Sequence, residues 1–166
     1  GDPRWATQRI RRPARLMAIG RERNALWDSL QIAVDGDIFE LIEPGEYLLD
    51  SLVQLDDRVT IRAAAGLSAK PILRNVTPDI TTRYIIEIHT GGSLRLSGVE
   101  LDGLANSGTP AKYLLKTASS MDGTYNLFVD DCTLRDVVLG GDGNFFRAYS
   151  GTYADSIIFT NSVLFN

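Results

Sequence analysis

Apolar and polar residues alternate in four segments of the chain that can be laid over one another: Arg58–Ala64, Ser93–Asp102, Asn126–Arg135 and Ser156–Phe165. In this alignment Val59, Leu94, Leu127 and Ile157 fall in one column, and Ile61, Leu96, Val129 and Phe159 fall in the next. Alternation of this kind marks strands. Recurrence at 59, 94, 127 and 157, steps of 35, 33 and 30 residues, marks a stacked architecture. Such a stack buries a continuous core that no single coil can bury alone. The pattern predicts an all-β fold, a right-handed parallel β-helix.

Shorter apolar runs fill the intervals. Strands are expected over residues 38–42, 46–49, 52–55, 71–74, 83–88, 112–116 and 144–147, with Gly-rich turns between them. A helix is expected over Ala25–Val34, capped by Asn24, with Leu26, Leu30 and Val34 on one face. Its place before the first strand suits it to cap the open end of the coil stack. Gly98, Asp131 and Asn161 share a column at a bend, where small or Asx residues tolerate a left-handed backbone. Residues 1–24 read as a linker or the tail of a preceding module, and 25–166 as the N-terminal coils of the β-helix. The last rung reaches Phe165 with no capping segment after it, so the natural chain is expected to continue.

Charge is unevenly placed. Residues 1–27 hold seven Arg against Asp2 and Glu22, whereas residues 28–166 hold ten Lys or Arg against nineteen acids, giving a net −4 overall. An acidic repeat region argues against a nucleic-acid partner. The basic stretch, broken by Pro3 and Pro13, reads as an extended lead into the folded body. The single cysteine, Cys132, excludes an internal disulfide, and its alignment with Val99 and Ser162 reads as a buried small apolar residue. No run is long enough to span a membrane as a helix, and the Arg-rich start lacks the apolar segment of a signal peptide.

The stretch from Leu30 to Tyr47, with its Gly36-Asp-x-x strand start and Pro44-Gly-x-Tyr47 turn, followed by Val59-Thr-Ile-Arg62, resembles the opening of the β-helix in the chondroitinase B and alginate lyase family. Val129–Leu134 and Phe159–Asn166 are similar to later rungs of that superfamily, in particular to lyase-like β-helix proteins that Bacteroidetes secrete or display. Gly1–Trp5 resembles the tail of a module that often precedes such helices. The resemblance covers about residues 25–166. It implies a parallel β-helix acting on or holding an acidic polysaccharide, at a secreted, periplasmic or cell-surface location. The family's catalytic Lys and Arg and its acidic calcium ligands belong to later coils and have no match here.

Elimination at a uronate needs a group to neutralise the carboxylate, a base and an acid. Aligning Ile86, Leu115 and Phe146 puts Glu87, Lys116 and Arg147 in one outward column, one strand spacing of about 4.8 Å apart. In a functional reading Lys116 is the base, Arg147 the carboxylate or leaving-group contact and Glu87 a further substrate contact. In a structural reading the three form a surface salt-bridge ladder worth about 0–1 kcal/mol per pair, and the ladder is the expectation. Asp130, Asp131 and Asp142 are candidate Ca²⁺ ligands by residue type, although Asp142-Gly143 is foremost a turn dipeptide. His89, the one histidine, reads as a solvated strand-end residue. Trp5, Trp27, Tyr47, Tyr113, Tyr125 and Tyr153 are candidates for sugar stacking, with core packing the commoner use of such positions. The competing function class is a non-catalytic structural or glycan-binding module of a larger surface protein.

Overall fold

The computed structural model describes residues 12–77, 83–140 and 143–166. The chain opens with β1 (Leu16–Ile19) and one short helix, α1 (Ala25–Leu30), and then runs in coils of three strands. The first holds β2 (Ile38–Leu41), β3 (Gly45–Leu49) and β4 (Val53–Leu55). The second holds β5 (Arg58–Ala63), β6 (Pro71–Asn75) and β7 (Ile86–Ile88). The third holds β8 (Ser93–Ser97), β9 (Glu100–Asp102) and β10 (Tyr113–Thr117), and the fourth β11 (Thr124–Asp130), β12 (Thr133–Arg135) and β13 (Asn144–Arg147). Two more strands, β14 (Tyr153–Thr160) and β15 (Val163–Phe165), follow.

Equivalent strands of successive coils pair, always in parallel, into three sheets: β1-β2-β5-β8-β11-β14, β3-β6-β9-β12-β15 and β4-β7-β10-β13. The fold is a parallel β-helix of about four turns. The expected columns are those of the first sheet: Val59, Leu94, Leu127 and Ile157 lie in register, as do Phe39, Ile61, Leu96, Val129 and Phe159. Phe39, Ile61, Leu96, Leu127 and Val129 are fully buried. Ile157, on the last rung, is 44% exposed, because β14 has a neighbour on one side only.

Three local differences from the sequence reading have clear causes. The stack begins earlier than residue 25, since Leu16–Ile19 pairs with Ile38–Leu41, and that strand pairs with Thr60–Ala63. These first two steps are 22 residues long, short of the later 35 and 33, so one fixed period did not reveal them. The long rungs are each two strands joined at a bend, where Gly98, Asp131 and Asn161 have φ of 70°, 51° and 51°. Backbone bonds cross the bend from coil to coil, Gly98 N–H to the Asp130 carbonyl and Asp131 N–H to that of Thr160, so the left-handed residues turn the chain without breaking the ladder.

The helix is also shorter than expected. Asn24 is itself left-handed, with φ 64°, and its side chain does not cap α1. Its carboxamide instead grips Asp50, accepting from the Asp50 N–H at 2.7 Å and donating to the carboxylate at 2.9 Å. The Asp37 carboxylate accepts the N–H of Val34 at 3.0 Å, drawing that residue off the helical path. Leu26 and Leu30 remain buried, and α1 packs on β3 and β4.

The basic lead is folded onto the acidic body. Arg12 pairs with Asp37, Arg21 with Glu43 and Arg23 with Asp50. Asp37 is fully buried. Burial works against its charge, but the Arg12 guanidinium and the N–H groups of Val34 and Arg15 outweigh it and hold the carboxyl at about 2. The Cys132 thiol is buried and free, and burial pushes its pKa up.

Two outcomes follow from the core. Val129→Asp places an unpaired charge at a fully buried column position and should cost more than about 4 kcal/mol, read by denaturant unfolding. A soluble variant of unchanged stability would refute the register. For Asp37, a folded pKa below the unfolded value of about 4 contributes stability that is present above pH 4 and lost as pH falls toward about 2. Thermal melts from pH 7 to 2 should show a shallower acid limb for Asp37→Asn, together with a lower plateau, because Arg12 loses its partner.

Candidate functional site

The third sheet carries the charged column. Alternation along strands of three to five residues buries Val53, Ile86 and Leu115 and turns the residue after each of them outward. Gln54, Glu87, Lys116 and Arg147 therefore stand in register on adjacent strands, with Phe146 paired to Leu115 beneath Arg147. Glu87, Lys116 and Arg147 share a face as the spacing requires.

The surroundings of the column differ from those of a solvated ladder. Lys116 Nζ is 2.9 Å from Glu87 Oε2, and the two side chains are 15% and 10% exposed. His89 Nε2 lies 2.6 Å from the other Glu87 oxygen, a contact whose angles do not make a hydrogen bond. Gln54 Nε2 donates to the Tyr84 hydroxyl at 3.1 Å. Burial, with the charge of Glu87 beside it, pushes the Tyr84 phenol up to about 12. The Lys116 ammonium lies 5.0 Å from the Tyr84 ring centre, 5.1 Å from that of Tyr149 and 5.9 Å from that of Tyr113. Arg147 stacks on the other contact of this cage, 5.1 Å from the Tyr149 centre. It is exposed, and no carboxylate pairs with it among the described residues.

This arrangement separates the two cations chemically. Lys116 is held by a carboxylate and three aromatic rings, contacts that each favour an ammonium, and little of it remains open. Arg147 presents a planar five-donor fork to solvent, the geometry that takes a carboxylate in bidentate fashion. His89, expected as a solvated strand-end residue, is half-buried against Glu87, one residue past the end of β7. Tyr84 and Tyr149 lie just outside strand ends, where no periodicity assigns a direction.

Among the remaining candidates, Asp130 accepts from Thr160 Oγ1 at 2.7 Å and Asn161 Nδ2 at 3.0 Å, which holds its carboxyl below the usual range. Asp131 sits 3.3 Å from Lys70 Nζ. Asp142 and Trp5 lie outside the described residues. Among the described residues no group of three or more His, Cys, Asp or Glu is placed to hold a metal ion. Tyr47, Tyr113 and Tyr125 are buried, Trp27 is half-buried and donates to the Leu52 carbonyl, and Tyr153 is 68% exposed.

No protein-family model matches the chain, and no curated protein does. Solved structures do. A PL6 family alginate lyase, AlyGC, superposes with a TM-score of 0.76 at 27% identity over 91% of this chain and 20% of its own. An arginine-to-alanine mutant of AlyGC gives 0.73 at 28% identity with the same coverage. The chain thus spans about a fifth of the length of those structures. No described helix is long and apolar enough to cross a membrane. Taken with the three-sheet stack, the likeness makes this chain a polysaccharide lyase-like β-helix.

Proposed function

We propose that these coils hold an acidic polysaccharide outside the cytoplasm, as part of a lyase-like protein, and that Arg147 is the contact to a uronate carboxylate. The observation that carries the reading is the exposed guanidinium of Arg147, without a carboxylate partner among the described residues and stacked on Tyr149 at the edge of the third sheet. The likeness to a PL6 alginate lyase supplies the ligand class, since alginate is a polyuronate. Of the three needs of uronate elimination, the column offers the first, neutralisation of the carboxylate. It does not offer an open base: Lys116 Nζ is taken by Glu87 and the tyrosine cage, and the Tyr84 phenol at about 12 keeps its proton near neutrality. Binding, rather than bond cleavage, is what this column's own residues can perform. No step is assigned to Ca²⁺.

Calorimetric titration of the chain with oligoalginate, oligopectate and a neutral glucan oligomer tests the proposal. Binding is expected for the uronates only, and Arg147→Ala should weaken it by about tenfold while flattening its salt dependence. Equal affinity for the neutral oligomer would sink the reading. The ultraviolet band of unsaturated uronates should stay silent with this chain, with or without Ca²⁺; its appearance would return the catalytic role to the column.

Lys116→Ala separates the cage from a surface ladder. It strands Glu87, which is 8% exposed, and should cost about 2 kcal/mol or more, above the range of an exposed pair. An unchanged melting curve would show that the pair is solvated after all.

A further inference from the structure

A second exposed guanidinium, on a different sheet, is stacked on an aromatic ring. On the outward face of the first sheet, Thr60, Arg95 and Phe128 lie in register, flanked by the in-register pair Arg58 and Ser93. The short side chains of Thr60 and Ser93, between the taller Arg58, Arg95 and Phe128, leave a depression of about 220 Å³. Asn126 lines it too, its backbone N–H donating to Ser93 Oγ at 2.9 Å. The Arg95 guanidinium carbon lies 4.6 Å from the Phe128 ring centre. Neighbouring arginines of the sheet are neutralised, Arg58 by Asp35 and Arg62 by Glu40. Arg95 is exposed and has no carboxylate partner among the described residues. The volume is below the ~300 Å³ of drug-sized pockets, which suits one sugar unit.

We infer that this depression is a separate subsite for a uronate residue, whose carboxylate pairs with the N–H edge of Arg95 and whose hydroxyls meet the Asn126 amide. Phe128 is a positioning residue: its ring holds the guanidinium flat, so the fork is set before the ligand arrives and less rotamer entropy is lost on binding. A planar carboxylate offers its two oxygens to two parallel N–H donors of the fork. The inference rests on the proposed function for its ligand class but uses another surface, so variants at Arg95 and Arg147 tell the two apart.

The test is calorimetry of the full chain with a trimannuronate, a neutral trisaccharide and a sulfated galactose disaccharide. Arg95→Gln should weaken trimannuronate binding about tenfold with an unchanged melting temperature. Arg95→Lys should not restore it, because an ammonium lacks the fork. Phe128→Leu should weaken binding and Phe128→Tyr should keep it, a rescue that bulk packing alone would not predict. Loss in Arg147→Ala with Arg95→Gln unchanged would overturn this subsite and leave the proposed function standing. Loss in Arg95→Gln with Arg147→Ala unchanged would support the subsite and remove Arg147 from its role. Tighter binding of the sulfated disaccharide through Arg95 would overturn the assignment to carboxylate, and no binding of any acidic sugar by the unaltered chain would overturn both proposals.

Discussion

Everything in this molecule depends on one constraint: a coil of a β-helix cannot satisfy its own backbone. Each strand's N–H and C=O groups point along the stack, so only the coils above and below can pair with them. Register between coils is therefore fixed over every strand at once, and side chains at equivalent positions fall directly over one another. On the inward face this makes the columns Phe39-Ile61-Leu96-Val129 and Val59-Leu94-Leu127, each member fully or nearly fully buried. Each side chain contributes on the order of 1.5–3 kcal/mol through burial, most of it offset by chain entropy. The bends obey the same rule. Left-handed Gly98 and Asp131 reverse the chain direction while their N–H groups still reach the next coil. Where coils close tightly the side chain disappears: a Cβ on Gly103 would sit 2.0 Å from the Asp136 carbonyl oxygen.

Stacking in register also governs the charges. A charged residue repeated at one outward position would meet its like about 4.8 Å away on the next strand. The chain avoids this by alternating sign up the stack. Glu40 lies under Arg62, Arg74 and Arg135 bracket Asp102, and Glu87 lies under Lys116. Asp102 is fully buried, with Arg74 at 2.9 Å and Arg135 at 3.1 Å. Its neighbour Asp136 has a raised pKa, from its own burial first and then from the Asp102 charge. Arg12, Arg21 and Arg23 extend the rule sideways, closing onto Asp37, Glu43 and Asp50 as counter-charge to the first coils.

The fold was legible because stacking writes itself into the chain as aligned alternation. Val59, Leu94 and Leu127 could be found by eye, and the bend column followed from them. The strand β1 and the place of β2 in the first-sheet column were not legible, since their 22-residue steps depart from the later 35 and 33. The helix end differs from expectation because Asp37 takes the Val34 N–H, and the Asp37 carboxylate is itself held by Arg12 and the Arg15 N–H, twenty-five and twenty-two residues away, contacts with no local sign. For the site, the column itself was visible but its enclosure was not. Three tyrosines converge on Lys116, Tyr84 and Tyr149 from outside the strands and Tyr113 from its own, and His89 approaches Glu87 from just past the end of β7. Period-two reasoning says which face a residue takes; it is silent on how deep that face lies.

Against the alternating pattern two cations stand out. Arg147 follows Lys116 in the same column, a like charge on the next strand, with the Tyr149 ring 5.1 Å from each. Arg95 sits between Thr60 and Phe128, where the pattern elsewhere would put an acid. Neither has, among the described residues, the carboxylate partner found at Arg62, Arg74 and Arg135. Both are instead backed by an aromatic ring, which orients a guanidinium without neutralising it. A guanidinium that is oriented, exposed and without a carboxylate partner among the described residues keeps its N–H donors free to pair with an anion from outside the chain. On the function proposed above, that anion is the carboxylate of a polyuronate.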